Sequence, residues 1–222
     1  MRACYPFLCL LSLIFMLSAC QDSKPLLFDD NPTPTPADLP APARHQVSFA
    51  KEVQPIIETK CLSCHSCFDA PCQLKLESAE SLLRGASQEP VYSSARTTEM
   101  KPTRLGIDEL TVDGWRKRGF YSVLQSDREH AQSLLKNMIT LGKQYPFPPN
   151  SKLPDSIKTG FARKNQCVTE EEFPDYAHDH PFEGMPFGTS GLTDREYSLL
   201  AGWLNQGAAV TDEPVTLTRD EE

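Results

Sequence analysis

Apolar residues at helical spacing open and close the folded part of the chain. Val47, Phe49, Val53, Ile56 and Ile57 share one helical stripe, and Ser48 stands where an N-cap is needed. Pro55 predicts a kink there, or a split into two pieces. Near the other end, Thr193-Asp194-Arg195-Glu196 reads as a capping box, with Thr at the N-cap and Glu at N3. Tyr197, Leu200, Ala201 and Leu204 follow on one face, Leu199 and Trp203 flank it, and Gly207 is the expected stop. Between these helices the pattern predicts two more. One is short, from Ser78 to Arg84, and ends at Gly85. The other opens at Ser126-Asp127-Arg128-Glu129, carries Ala131, Leu134, Leu135, Met138 and Ile139 on its apolar face, and ends at Gly142. Tyr145-Pro146-Phe147-Pro148-Pro149-Asn150 is a loop. The predicted fold class is mainly α, and no internal repeat or phosphate loop interrupts it.

The first residues follow a different logic. Arg2 precedes a run from Phe7 to Leu17 that only Ser12 interrupts, which has the length of a signal-peptide core rather than of a membrane span. Leu17-Ser18-Ala19-Cys20 resembles a bacterial lipobox, so residues 1–19 are expected to be a signal peptide and Cys20 a lipidated residue. Pro25, Pro32, Pro34, Pro36, Pro40 and Pro42 make residues 20–45 an extended, stiff tether. At about 3 Å per residue it would hold the domain some tens of Å from a bilayer. The expected address is the periplasm of a Gram-negative bacterium, with the domain anchored to membrane by lipid. Residues 46–210 form the folded domain and 211–222 a charged tail.

Length and charge narrow the choice. The chain has 222 residues and a formal net charge of -8, enough for one cored domain and the wrong sign for nucleic acid. Cys61-Leu62-Ser63-Cys64-His65 carries the candidate chemistry. Its three ligand-type residues share one side of a helical turn, where two thiols can add to haem vinyl groups and the His can bind the iron. Composition alone predicts roughly 0.006 such motifs in a chain with 8 Cys and 5 His, so chance is a poor explanation. The expected cofactor is covalent haem c, with Cys61, Cys64 and His65 as its binding residues. A zinc site using Cys67, or a disulfide pair, are the other chemistries open to these residues.

The second iron ligand is expected downstream, at Met185 in the Gly/Pro loop His180-Pro181-Phe182-Glu183-Gly184-Met185-Pro186-Phe187-Gly188, with His178, His180 or a vacant or water-filled position as the alternatives. The reading is therefore a cytochrome-c-like haem domain with a long insertion, residues 73–179, between the CxxCH helix and the Met loop. Cys67, Cys72 and Cys167 remain, and one disulfide is expected among them. Cys67–Cys72 is the local possibility and Cys72–Cys167 the long-range one. Thr111 to Tyr121 is basic and aromatic, read as a solvated face over a buried Trp115 or else as a contact for anionic lipid headgroups.

The extended run Cys61-Leu62-Ser63-Cys64-His65-Ser66-Cys67-Phe68-Asp69-Ala70-Pro71-Cys72-Gln73-Leu74-Lys75-Leu76 resembles the bacterial fatty acid cis/trans isomerases. Gly85-Ala86-Ser87, Val91-Tyr92, Pro102-Thr103-Arg104-Leu105, Trp115-Arg116-Lys117, Gly119-Phe120-Tyr121 and the stretch from Met185 to Gly207 continue the likeness, which covers about residues 46–210. The resemblance implies a periplasmic haem enzyme that turns cis double bonds of membrane phospholipid acyl chains into trans without moving the bond, a stress response that stiffens the membrane. The iron would act as the electrophile, with His65 as its ligand. Family members are several times longer, so this chain is expected to be a fragment or short form that binds haem but isomerises lipid poorly alone. A periplasmic electron-transfer cytochrome is the rival expectation. No redox partner follows from the residues.

Overall fold

The computed structural model describes residues 33–66, 70–91, 100–126, 128, 131–147 and 167–210. The expected signal peptide, Cys20, Cys67, the Pro148–Asn150 part of the predicted loop and the charged tail lie outside them. Among the described residues the regular structure is helical. Among these residues the pairings of strand type are the isolated bridges Ala86–Tyr121 and Leu105–Glu109.

Among the described residues the α-helices are α1 (Gln54–Lys60), α2 (Leu62–His65), α3 (Ala79–Arg84), α4 (Val112–Lys117), α5 (Leu134–Gln144), α6 (Phe173–Asp179) and α7 (Asp194–Asn205). Ser48 caps a wide π-type turn, Phe49–Val53, and α1 starts afresh with Pro55 in its first turn. That is the split Pro55 demands, since a first-turn proline loses no intrahelical hydrogen bond. α3 is capped by Ser78 and stopped by Gly85 at φ 81°, as expected. The capping box of α7 forms in both directions: Glu196 N–H donates to Thr193 Oγ1 (3.3 Å) and Thr193 N–H to Glu196 Oε2 (2.7 Å).

Two expectations need correction. α5 begins at Leu134, not near Ser126, and its cap is Ser133. Ser126 is committed elsewhere. Its hydroxyl accepts from Arg128 N–H (3.0 Å) and bonds Glu170, which leaves the cap role to Ser133 and leaves Ala131 exposed ahead of the helix. α5 also continues past Gly142 to Gln144, so this glycine is no terminator. The second correction concerns the tether. Residues 33–45 are extended, as their prolines require, but they do not stand clear of the domain. Ala37 N–H donates to Gln144 O (2.7 Å), Ala43 N–H to Ser198 O (2.8 Å), and Ser198 Oγ to Ala41 O (2.7 Å). Gly202 admits them: a Cβ there would come within 2.8 Å of the Ala43 carbonyl oxygen.

One core joins the two ends of the domain. Val53, Ile56 and Ile57 meet Leu200, Ala201, Trp203 and Leu204 of α7 and Leu134, Met138 and Ile139 of α5, all buried. Phe49 packs on Trp203 at 5.6 Å between ring centroids. A second, smaller core is built on Trp115, fully buried, with Phe120 edge-on at 5.0 Å. The guanidinium of Arg84 lies over both rings, 5.5 and 5.0 Å from their centroids, and donates to the carbonyls of Thr103 and Gln73. Burial lowers the Arg84 pKa to about 10, with Glu77 opposing the fall. Arg116 of α4 and Arg118, at its C-cap, serve structure as well. Arg116 donates to the carbonyls of Arg84 and Leu83, and Arg118 to those of Pro102 and Asp108.

Candidate functional site

α1 ends where the chemistry starts. Cys61 is half-buried and Cys64 exposed, and both are free thiols. Lys60, next to Cys61, donates to Ser190 Oγ (3.0 Å) and Gly191 O (3.2 Å), which binds the end of α1 to the loop ahead of α7. Burial pushes the Cys61 thiol up to about 11, with Cys64 adding to the rise and Lys60 opposing it. Cys61 is thus held as a neutral thiol at neutral pH.

His65 is fixed from both its backbone and its ring by the residues that follow it. Leu76 N–H donates to His65 O (2.9 Å), and His65 Nδ1 lies 2.9 Å from Leu74 O. A carbonyl can only accept, so Nδ1 carries the proton and Nε2 keeps its lone pair. Burial holds the imidazole below its ordinary pKa, while the Leu74 carbonyl pulls the other way. The ring is therefore a neutral donor with one nitrogen oriented by a second partner, the arrangement metal-binding histidines require.

The segment that does this, residues 70–76, is a strap tied down at three points. Cys72 is disulfide-bonded to Cys167, with Cα atoms 5.1 Å apart. This settles the open pairing and corrects the local alternative: with Cys72 committed to Cys167, it cannot pair with Cys67. Gln73, buried, donates to Glu89 O (2.8 Å) and accepts from Thr103 Oγ1 (2.6 Å). Ser87 N–H donates to Cys72 O (2.8 Å). Cys72 and Gln73 both have positive φ, 58° and 49°.

Cys61, Cys64, His65 and Met185 all line one cavity of about 200 Å³, partly open to solvent. Its walls are apolar: Leu74, Leu76, Val123, Leu134, Leu135, Ile139, Val168 and Leu200, with Tyr121 and Tyr176 among them. Both tyrosines are engaged, Tyr121 donating to Val168 O (3.1 Å) and Tyr176 to Glu183 O (3.0 Å). Burial raises the pKa of each. The other expected ligands stand apart. His178 is exposed and paired with Asp179, and His180 is held 3.0 Å from Glu183 Oε1; neither lines the cavity. Among the described residues no three His, Cys, Asp or Glu side chains converge as a metal site. The residues here that can hold a cofactor are two free thiols, one neutral imidazole and the thioethers of Met185 and Met138.

Sequence reasoning passed over the strap contacts, Glu183 and Met138, which lines the same cavity. The signal was present in Ala70-Pro71-Cys72-Gln73-Leu74, a run too unusual for a plain loop. It had no periodicity that could say what it touched.

No curated protein and no solved structure matches the chain. The family described as fatty acid cis/trans isomerase (CTI) matches residues 100–222, more than half of the sequence. The matched span carries Thr103, Trp115, Cys167, Met185 and α7, and begins beyond the CxxCH motif. An apolar cavity framed in large part by that span is what an enzyme of acyl chains requires, and the chain belongs to the fatty acid cis/trans isomerase family.

Proposed function

We propose that the cavity is a haem c site and that it is where this family's cis/trans isomerisation of phospholipid acyl chains takes place. The observation that carries the reading is the His65 ring: Nδ1 is committed to Leu74 O at 2.9 Å beside two free thiols at CxxCH spacing. The donor set fits the group. Cys61 and Cys64 would hold it by thioether bonds, His65 would bind its iron through Nε2, and Met185, in a loop rather than within a helix as Met138 is, would offer the thioether from the same cavity. When bound, the iron would supply the electrophile that weakens the double bond enough for rotation.

The chain's own residues do the rest. The strap holds the imidazole neutral and oriented. Leu74, Leu76, Val123 and Leu135 exclude water, so that an apolar chain can lie near the site. No proton donor or acceptor is needed in a reaction that leaves the bond where it was. This agrees with walls whose two tyrosines are both occupied by backbone carbonyls. The Cys72–Cys167 disulfide supports an oxidising compartment and thus an exported protein. By this reading the protein is periplasmic, Cys20 is its lipid anchor, and the cytochrome-c-like part of the fold is what α1, α2, the Met185 loop and α7 form together. A stress response of the membrane is the setting.

The test uses the intact gene product from an exporting host that attaches haem. Haem that stays with the protein in acidified acetone is expected in the wild type and is expected to be lost in Cys61→Ala with Cys64→Ala. Vesicles of cis-unsaturated phospholipid should yield trans fatty acids with the wild type and none with His65→Ala. Haem retained by the double variant would overturn the cofactor assignment. Covalent haem without trans product would turn the reading to electron transfer.

A further inference from the structure

We infer that Gly142 and Gly184 are positioning residues for Met185: their contact lets the Met185 backbone lie directly on α5 and so sets how far its thioether reaches into the cavity. The inference rests on Met185 being the second ligand proposed above.

The starting point is a glycine in the wrong place. Gly142 lies inside α5, two residues before its end, with no positive φ to justify it. A glycine there weakens a helix relative to alanine, so the position needs another reason. The reason is the Met185 loop. A Cβ on Gly142 would collide with the carbonyl oxygen of Met185 and come within 2.9 Å of its carbonyl carbon and nitrogen. A Cβ on Gly184, the residue before, would collide with the backbone nitrogen of Gly142 and reach 2.6 Å from the carbonyl carbon of Leu141. Every atom named is main chain, so nothing can swing aside as a side chain would. The seat is completed by Met185 N–H, which donates to Met138 O (2.9 Å), one helical turn before Gly142. Met138, Ile139 and Met185 line the same cavity. The height of Met185 over that cavity is thus set by the absence of two side chains. A methyl group at either position must lift the loop off the helix by ångströms, and an iron–sulfur bond does not tolerate that.

The test is spectroscopic and uses the haem-loaded protein. Ferric wild type should show the weak long-wavelength band of sulfur-to-iron coordination. Gly142→Ala and Gly184→Ala should each abolish it while keeping covalent haem and wild-type helicity. Gly191→Ala should keep the band, because a Cβ there meets nothing within 4 Å. A band that survives in Gly142→Ala and Gly184→Ala overturns the inference and leaves Met185 as ligand untouched. Two variants that lose the whole fold also overturn it, since the contact would then be general packing. A wild type that lacks the band fails at the earlier step, the choice of Met185, and with it this inference.

Discussion

Opening the Cys72–Cys167 bond should cost the domain a large part of its stability. The two residues are 95 apart in sequence. A cross-link that closes a loop of this length restricts the unfolded chain by an entropy worth about 4.7 kcal/mol at 25 °C in the chain-entropy treatment. Domains of this class are stable by about 5–15 kcal/mol, so the bond accounts for roughly a third or more of the total. The perturbation is Cys72→Ser with Cys167→Ser, which removes the cross-link and adds no stray thiol. Urea unfolding of the two proteins without haem, followed by far-UV circular dichroism, reads the difference. With a slope of about 2 kcal/mol per M, the midpoint should fall by about 2 M. The damage should also be local. Cys72 is two residues from the carbonyl that orients His65, and Cys167 adjoins the carbonyl that takes the Tyr121 hydroxyl. The haem-loaded variant should therefore release haem iron ligands to exogenous imidazole more readily than wild type. A midpoint shift below about 0.5 M would refute the reasoning, because the long loop would then be held closed by contacts that persist in the unfolded chain.

Thr193→Ala removes the Oγ1 acceptor of the α7 capping box and should cost about 1 kcal/mol in the same urea experiment, with haem attachment unchanged. Trp115→Ala empties the centre of the smaller core and should cost about 3–5 kcal/mol, read as a lowered midpoint, because Phe120 and the Arg84 guanidinium lose the surface they share. Glu172 accepts from Thr169 N–H at 2.8 Å, from the Thr169 hydroxyl at 3.0 Å and from Gln88 at 2.8 Å. The Thr169 N–H is the main cause that holds its carboxyl below the usual value, with burial opposing. A depressed carboxylate contributes stability that is present above the unfolded pKa, about 4.3, and lost as pH falls through the folded value. Acid titration of the urea midpoint should therefore fall less steeply below about pH 4 in Glu172→Gln than in wild type.

The terminal helices were legible because their signals are local. Ser48, Pro55, Thr193, Glu196 and Gly207 each act within one turn, and neighbouring packing does not compete with them. Ser126 was misleading for the opposite reason. It has the right successors for a cap, but its hydroxyl is drawn to Glu170, which lies 44 residues away in sequence. Gly142 misled in the same way. A glycine after an apolar stripe reads as a stop, and only the fold shows that the Met185 backbone occupies the space of its missing side chain. Cys61, Cys64 and His65 could be picked out as candidates because their spacing is contained in five residues, and the structure brings all three to one cavity. The residues that orient His65 could not, because backbone carbonyls carry no residue type. Leu74 acts through its carbonyl oxygen, and any side chain there leaves the same atom.

The strap also explains why the motif segment and the family-matched span behave as one site. The strap's own hydrogen bonds, Gln73 N–H to Ala70 O and Leu74 N–H to Pro71 O, close one short 3-10 turn, so its place beside His65 is fixed by ties to other segments. Ser87 and Glu89 anchor it from the segment just after it, and two further anchors come from the matched span. Cys167 takes Cys72, and Thr103 takes Gln73 while its carbonyl accepts from Arg84, whose other branch reaches Gln73 O. Arg84 is in turn laid flat on Trp115 and Phe120. Ser190 and Gly191 take Lys60, beside Cys61. Met185 reaches the cavity from the α5 side under the constraint of Gly142 and Gly184. Residues 100–222, matched to the family, thus supply the scaffold on which the ring of His65 is oriented. That division of labour accounts for a long insertion between the CxxCH motif and the Met loop. The insertion holds Cys167 and Thr103, whose ties to Cys72 and Gln73 keep the strap in place beside an apolar cavity and the neutral imidazole of His65.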